Sequence, residues 1–128
     1  MRVKIEEKHS LPLISIPGAG GRYALLDTGC DHTIVSADSD NIDARISVVG
    51  FGGDNKWSAE VGKITFTLID ENDVHFDVEC DAYQVSSDCF KPLKDNDLSD
   101  VMMILGTNFF NKYNAKIDFE NKILTLNA

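Results

Sequence analysis

The chain has 128 residues, 43% of them hydrophobic, with 21 acidic against 12 basic residues and a net charge of −9. This length predicts a single domain, residues 1–128, with a core of its own. The acidic balance argues against nucleic acid or an anionic membrane as the main partner. No apolar run is long enough to span a bilayer, and the charged N-terminus argues against a signal peptide. Three cysteines without a recognisable pattern favour a reduced, intracellular setting, which we take to be cytoplasmic.

Alternation of apolar and polar residues with a period of two predicts that most of the chain is β-sheet. The predicted strands are separated by turns rich in Gly, Pro, Asn and Asp, the residues that tight turns favour. Two strand-like segments flank a glycine-rich stretch at 50–53 and predict an extended hairpin. The predicted strands cover residues 3–5, 11–16, 23–26, 33–36, 44–51, 62–68, 74–78, 101–105, 115–119 and 123–126.

Two stretches in the second half of the chain depart from the strand pattern. Residues 86–100 are polar and irregular and predict an excursion on the surface. Thr107 and Asn108 are predicted to cap a short helix, in which Phe109 and Tyr113 share one face. Nine or ten short strands and one helix indicate an all-β fold, closed or sandwich-like.

The candidate functional residues follow the apolar strand predicted at 23–26. Asp27 stands at the end of that strand, where a buried carboxylate without partners would be costly. Thr28 supplies a hydroxyl beside it, and Gly29 has no Cβ, so another backbone or a ligand can approach closely. Asp-Thr-Gly on its own is also an ordinary turn. Two further motifs downstream favour a catalytic role over a plain turn.

Three motifs, in this order, resemble those of the retropepsins, the single-domain aspartic proteases of the retroviral type. They are Ala-Leu-Leu-Asp-Thr-Gly-Cys-Asp at 24–31, Val-Gly-Phe-Gly-Gly at 49–53 and Ile-Leu-Gly-Thr-Asn-Phe-Phe at 104–110. The resemblance covers roughly residues 11–110. It implies a single-domain closed β-barrel with one short C-terminal helix and a flap hairpin. It also implies an endopeptidase that needs no cofactor and no metal.

The resemblance further implies roles for individual residues. Asp27 from each of two subunits would form the catalytic dyad, with Thr28 and Gly29 completing the catalytic turn. Because one chain contains one Asp-Thr-Gly, a homodimer would supply the second carboxylate. The substrate would be a peptide or protein. The residues implied in binding it are Asp31, Gly50, Phe51, Gly52 and Gly53.

The sequence departs from the family's pattern around the site. Cys30 stands where the family usually has Ala, and the bilobal relatives Ser or Thr. Thr107 stands where viral members often have an Arg that pairs with the Asp of the first motif, so Asp31 lacks that partner. The hairpin at 115–126 extends past the point at which viral enzymes end. This difference implies that the dimer uses a different sheet from theirs.

Other interpretations of the same residues stay open. One alternative is a catalytically silent module of this fold, used for dimerisation or peptide binding, and the intact motif at Asp27 disfavours it. Another is a capped turn in a binding barrel, which is disfavoured because three ordered motifs would have to occur together by chance. Cys30 and His32 suggest a nucleophile pair, but residues two apart in a turn rarely reach the required geometry. The histidines and cysteines show no metal-ligand spacing, and the glycines at 50–53 lack the Lys-Ser/Thr pair of a phosphate loop.

Overall fold

The chain folds into two β-sheets, which a computed structural model describes for residues 1–17, 22–36, 46–49 and 58–128. The strands are β1 (Arg2–Lys4), β2 (Glu6–Lys8), β3 (Leu11–Ser15), β4 (Tyr23–Leu26), β5 (Thr33–Ser36), β6 (Ile46–Val49), β7 (Ser58–Ile69), β8 (His75–Val85), β9 (Val101–Leu105), β10 (Lys116–Asp118) and β11 (Ile123–Thr125). The helices are a 3-10 helix at Ser87–Phe90, α1 (Lys91–Asp95) and α2 (Thr107–Lys112). The prediction of an all-β fold is confirmed.

The larger sheet has eight strands in the order β2-β3-β4-β9-β5-β8-β7-β6. At its centre β4 and β9 run parallel, and β5 runs antiparallel to β9. The carboxyl ends of parallel neighbours lie side by side, so the residues that follow β4 and β9 meet at one edge of the sheet. Asp27 follows β4 and Gly106 follows β9. Thr33, the first residue of β5, lies at the same edge because β5 is antiparallel to β9.

The closed barrel expected from the family resemblance is not found. The larger sheet ends at β2 and β6, and no pairing between these two strands occurs in the described ranges. Three further strands form a separate sheet in the order β1-β11-β10. Strand pairing within the described residues therefore gives an open eight-stranded sheet and a three-stranded one.

Each face of the larger sheet carries its own hydrophobic cluster. The main core contains buried residues of both sheets and of α2, among them Leu26, Leu105, Phe109 and Leu124. The second cluster lies on the other face and includes Leu25. Successive residues of a strand point to opposite faces, which is why neighbours in β4 join different clusters. This two-sided burial explains why β4 is apolar throughout.

The segment at 86–100 lies at the surface, as its polarity predicted, but it is not irregular. It forms the 3-10 helix and α1, with Pro92 in the first turn of α1, where a missing N–H leaves no hydrogen bond unmade. Phe90 and Leu98, each 2% exposed, belong to the second cluster on the larger sheet. The segment is therefore anchored by two apolar side chains, and α1 adds a helix to the one that was predicted.

The two strands of the extended hairpin that the sequence predicted are present, whereas the role of this hairpin as a flap stays a prediction. β6 and β7 pair antiparallel, with Val49 opposite Ser58, and β7 continues into a long pairing with β8. The residues assigned to the flap tip, Gly50, Phe51, Gly52 and Gly53, lie outside the described residues. The hairpin is thus built on the same sheet as Asp27.

Candidate active site

Asp27 is held in the turn that follows β4. Its N–H donates to the carbonyl oxygen of Leu105 at 3.0 Å, which continues the pairing of β4 with β9 for one more residue. The carboxylate oxygen Oδ1 accepts the N–H of Gly29 at 2.9 Å, and the carbonyl oxygen of Asp27 accepts the N–H of Cys30 at 3.2 Å. Backbone groups on both sides therefore fix the position of this carboxylate.

The carboxylate is less buried than the sequence argument assumed. Asp27 is half-buried, and Thr28 and Gly29 are exposed. None of the ion pairs among the described residues involves Asp27. A Cβ at position 29 would lie 3.2 Å from Oδ1 of Asp27, so a glycine there lets the N–H approach the carboxylate without crowding it. The three residues of the predicted catalytic turn thus form one surface feature of the single chain.

The loop at 27–32, which follows β4 and is called the site loop below, packs against the junction between β9 and α2. Gly106 lies at that junction and makes this close contact possible. A Cβ at this position would lie 2.6 Å from the carbonyl oxygen of Cys30 and 2.7 Å from the carbonyl carbon of His32. The N–H of Thr107 then donates to the oxygen of Cys30 at 2.8 Å. The free N–H groups at a helix start need acceptors, and this loop provides them. The start of α2 and the site loop consequently hold each other.

Thr107 contacts Asp31 through the backbone and not through the ion pair that an Arg at this position would make. Its hydroxyl Oγ1 donates to the backbone oxygen of Asp31 at 3.1 Å, and the N–H of Asn108 donates to the same oxygen at 3.3 Å. The side chain of Asp31 is exposed and takes part in none of the ion pairs of the described residues. The loop is braced through its backbone, and the carboxylate of Asp31 faces solvent.

Asn108 has a role that the sequence analysis did not assign to it. The N-cap of α2 is Gly106, without a side-chain cap, so the predicted cap is wrong. Oδ1 of Asn108 instead accepts the N–H of Thr33 at 2.8 Å and its hydroxyl at 2.9 Å, and Nδ2 donates to the oxygen of Asp81 at 2.7 Å. The hydroxyl of Thr33 in turn accepts the N–H of Gly106 at 3.2 Å. One amide therefore ties α2 to β5 and β8 behind the site.

Cys30 and His32 do not form a nucleophile pair. The thiol of Cys30 donates to the backbone oxygen of His32 at 3.0 Å, while the ring of His32 packs edge-on against Tyr83 with ring centroids 5.1 Å apart. Burial raises the pKa of the Cys30 thiol, and the negative charges of Asp27 and Asp31 raise it further, against the opposing effect of the hydrogen bond. A thiol with a raised pKa stays protonated at neutral pH, and the protonated form is not the nucleophile.

An apolar row crosses the sheet next to the Asp27 turn. Leu25 pairs with Ile104, Ile104 pairs with Ile34, and Ile34 pairs with Tyr83. All four residues contribute to the second hydrophobic cluster, and only Leu25 is buried, whereas the other three are half-buried. The row gives the site a partly exposed apolar surface.

The structure brings together four of the residues that the sequence singled out. Asp27, Thr28, Gly29 and Asp31 lie in one loop, while the residues at 50–53 lie outside the described ranges. In the part of the chain that is described, no three His, Cys, Asp or Glu side chains are placed to hold a metal ion. None of the helices in those ranges has the length and apolar character needed to cross a bilayer.

Comparison of the sequence with protein-family models gives no match, and comparison with curated protein sequences gives none either. The functional conclusion therefore depends on the motifs and on the geometry of the loop.

Replacing Asn108 by Ala is expected to lower the free energy of unfolding by about 1–3 kcal/mol, because the buried N–H of Thr33 loses its acceptor. Asn111, exposed on the same helix, provides the matched control, and Asn111→Ala should change stability by less than about 0.5 kcal/mol. Urea unfolding of both variants measures the difference. Equal effects of the two substitutions would show that the amide of Asn108 does not tie the site together.

Proposed function

We propose that the protein is an aspartic endopeptidase whose active site forms when two copies bring their Asp27 carboxylates together. One observation carries the proposal: the half-exposed carboxylate of Asp27 is fixed by the N–H of Gly29 at the end of a buried parallel strand. A carboxylate that backbone groups hold at an accessible end of the sheet can exchange protons with a bound substrate. The three ordered motifs that resemble the retropepsins support the same assignment.

Peptide hydrolysis by paired carboxylates requires one ionised and one protonated group. The ionised carboxylate takes a proton from the attacking water, and the protonated one donates its proton to the carbonyl oxygen of the substrate. As the tetrahedral intermediate collapses, the C–N bond breaks and the carboxyl that took the proton from water gives it to the leaving amine. The other carboxylate takes back a proton from a hydroxyl of the intermediate. Two carboxyl groups this close share one proton, since both cannot be ionised at once. A single chain supplies one Asp27, and two-fold symmetry is the simplest source of the second.

The surroundings of Asp27 support a peptide or protein as the substrate. The apolar row that ends at Tyr83 offers contacts for apolar side chains near the scissile bond. Thr28, exposed beside the carboxylate, is available for a hydrogen bond to its counterpart across the two-fold axis. The proposed substrate-binding residues are Asp31, Gly50, Phe51, Gly52 and Gly53. The proposed reaction uses no metal and no cofactor.

Replacing Asp27 by Asn is expected to reduce peptide turnover by at least about 10³-fold, because both members of the dyad lose their acid–base function. The amide keeps an oxygen for the N–H of Gly29, so thermal unfolding should change little. Asp31→Asn makes the same change of charge in the same loop, and we expect it to alter KM more than kcat.

Cleavage of a diverse peptide library by the unchanged protein, Asp27→Asn and Asp31→Asn identifies a substrate, and kcat and KM for that substrate measure these effects. Unchanged turnover in Asp27→Asn would rule out the aspartic mechanism. A protein that binds peptides but cleaves none in the library would instead be the catalytically silent module.

Replacing Cys30 by Ala is expected to leave both the turnover and the shape of its pH profile unchanged, because the protonated thiol donates to His32 and not to Asp27. The optimum should be mildly acidic, about pH 5–6, since one carboxyl of the dyad must stay protonated. Rates measured across the acidic and neutral range test both statements. Full loss of activity in Cys30→Ala would mean that sulfur is the nucleophile.

A further inference from the structure

The strand β10 is an open edge of the smaller sheet. Its inner side pairs with β11, where Lys116 faces Thr125 and Asp118 faces Ile123, and no strand among the described residues pairs with its outer side. An unprotected edge strand presents free N–H and C=O groups to another chain. Phe119 follows directly and is 60% exposed, more than any other large hydrophobic residue in the described ranges. This edge is therefore suited to association.

The sequence of this edge, Ala-Lys-Ile-Asp-Phe at 115–119, is complementary to itself. If two copies run antiparallel with Ile117 opposite Ile117, Lys116 of each copy faces Asp118 of the other. Opposite charges directly across two strands stabilise the pair, and like charges destabilise it. Asp118 is exposed, and hydrogen bonds from the backbone and side chain of Asn121 lower the pKa of its carboxyl, so it carries its charge at neutral pH.

The apolar residues of the edge fit the same register. Ile117 packs against the main core but stays half-buried, as does Ala115 on the same face of the strand. In the antiparallel pair, Phe119 of each copy lies opposite Ala115 of the other, so a large side chain meets a small one. Pairing would cover Phe119 and complete the burial of Ile117.

The other edge strands are less complementary to a second copy. In β1, an antiparallel pair centred on Val3 would set Arg2 opposite Lys4, two cations. In β2, a pair centred on Glu7 would set Glu6 opposite Lys8, but Lys8 already lies 4.0 Å from the carboxylate of Asp100 in its own chain, and Glu7 would face Glu7 of the other copy. Like charges directly opposite disfavour both pairings. The strand β6 contains no charged residue that could define a register.

We propose that two copies of the chain associate through β10, antiparallel about Ile117, to form a six-stranded sheet in the order β1-β11-β10-β10-β11-β1. This contact would bring the two Asp27 turns together, and in that respect it rests on the proposed function. The edge at β10 is connected to the site through α2. Gly106 at the start of α2 touches the site loop, and at the other end of α2 the N–H of Ala115 donates to the oxygen of Phe110 at 2.8 Å. Such a contact is isologous and closes at two copies.

Two charge reversals test this contact. Lys116→Asp and Asp118→Lys each convert both cross-copy pairs into like charges, so each homodimer should weaken on the order of tenfold in Kd. Mixed in equal amounts, the two variants are complementary again, because the acidic strand of one faces the basic strand of the other. A heterodimer about as tight as the unchanged homodimer is expected. Lys4→Asp, on the opposite edge of the same sheet, is the matched control and should leave Kd unchanged.

Sedimentation equilibrium without substrate measures these constants, and thermal unfolding shows that each variant folds. Phe119→Ser is the second variant should Asp118→Lys lose its fold with the Asn121 hydrogen bonds; the exposed position predicts a folded chain with a weaker dimer. A monomeric protein at high concentration, charge reversals without effect on Kd, or no preference for the heterodimer would each overturn the proposal.

The outcome also separates this contact from the proposed activity. A dimer that follows the charges of β10 but cleaves no peptide supports the contact and contradicts the proposed function. If the protein cleaves peptides but the charge reversals in β10 change neither the Kd of the dimer nor the cleavage rate, the contact is contradicted and the proposed function stands.

Discussion

The close approach of Gly106 to the loop at 30–32 is the constraint on which the candidate site depends. The parallel pair β4 and β9 sets the ends of both strands side by side, and any side chain at position 106 would collide with the backbone of Cys30 and His32. With that space open, the first N–H groups of α2 reach the loop carbonyls. The position of Asp27 thus follows from backbone packing, and the side-chain amide of Asn108 holds the same junction from behind.

The same strand pair relates the remaining parts of the molecule to Asp27. Leu25 and Leu26 point to opposite faces of β4, so the strand connects the main core to the apolar row beside the site. The helix α2 begins at the site loop and leads through a turn at Asn114 into β10. The carboxylate, the surface proposed for substrate and the edge proposed for a second copy are therefore held by one continuous framework.

Local patterns were sufficient for the strands around Asp27 but not for features that depend on distant partners. The run at 23–26 and the Asp-Thr-Gly turn are local signals, and the alternation of apolar and polar residues in β8 holds from 76 to 82. Val74 continues that alternation in the sequence, but it lies in the preceding turn and is 47% exposed. In the segment at 86–100, the buried residues Phe90 and Leu98 stand among polar residues, so periodicity does not reveal them. The partner of Asn108 lies 75 residues away, and strand order in a sheet likewise cannot be derived from local periodicity.

The stoichiometry of a transition-state mimic tests the central claim most directly. A peptide with a statine-type hydroxyl places one oxygen between the two carboxyl groups of an aspartic dyad, so its binding requires both copies of Asp27. Isothermal titration of the folded protein counts the sites without relying on a cleavable sequence. We expect one mimic bound per two chains, with affinity that rises at mildly acidic pH. One mimic per chain, or binding to a protein that stays monomeric, would contradict a dyad formed by two subunits.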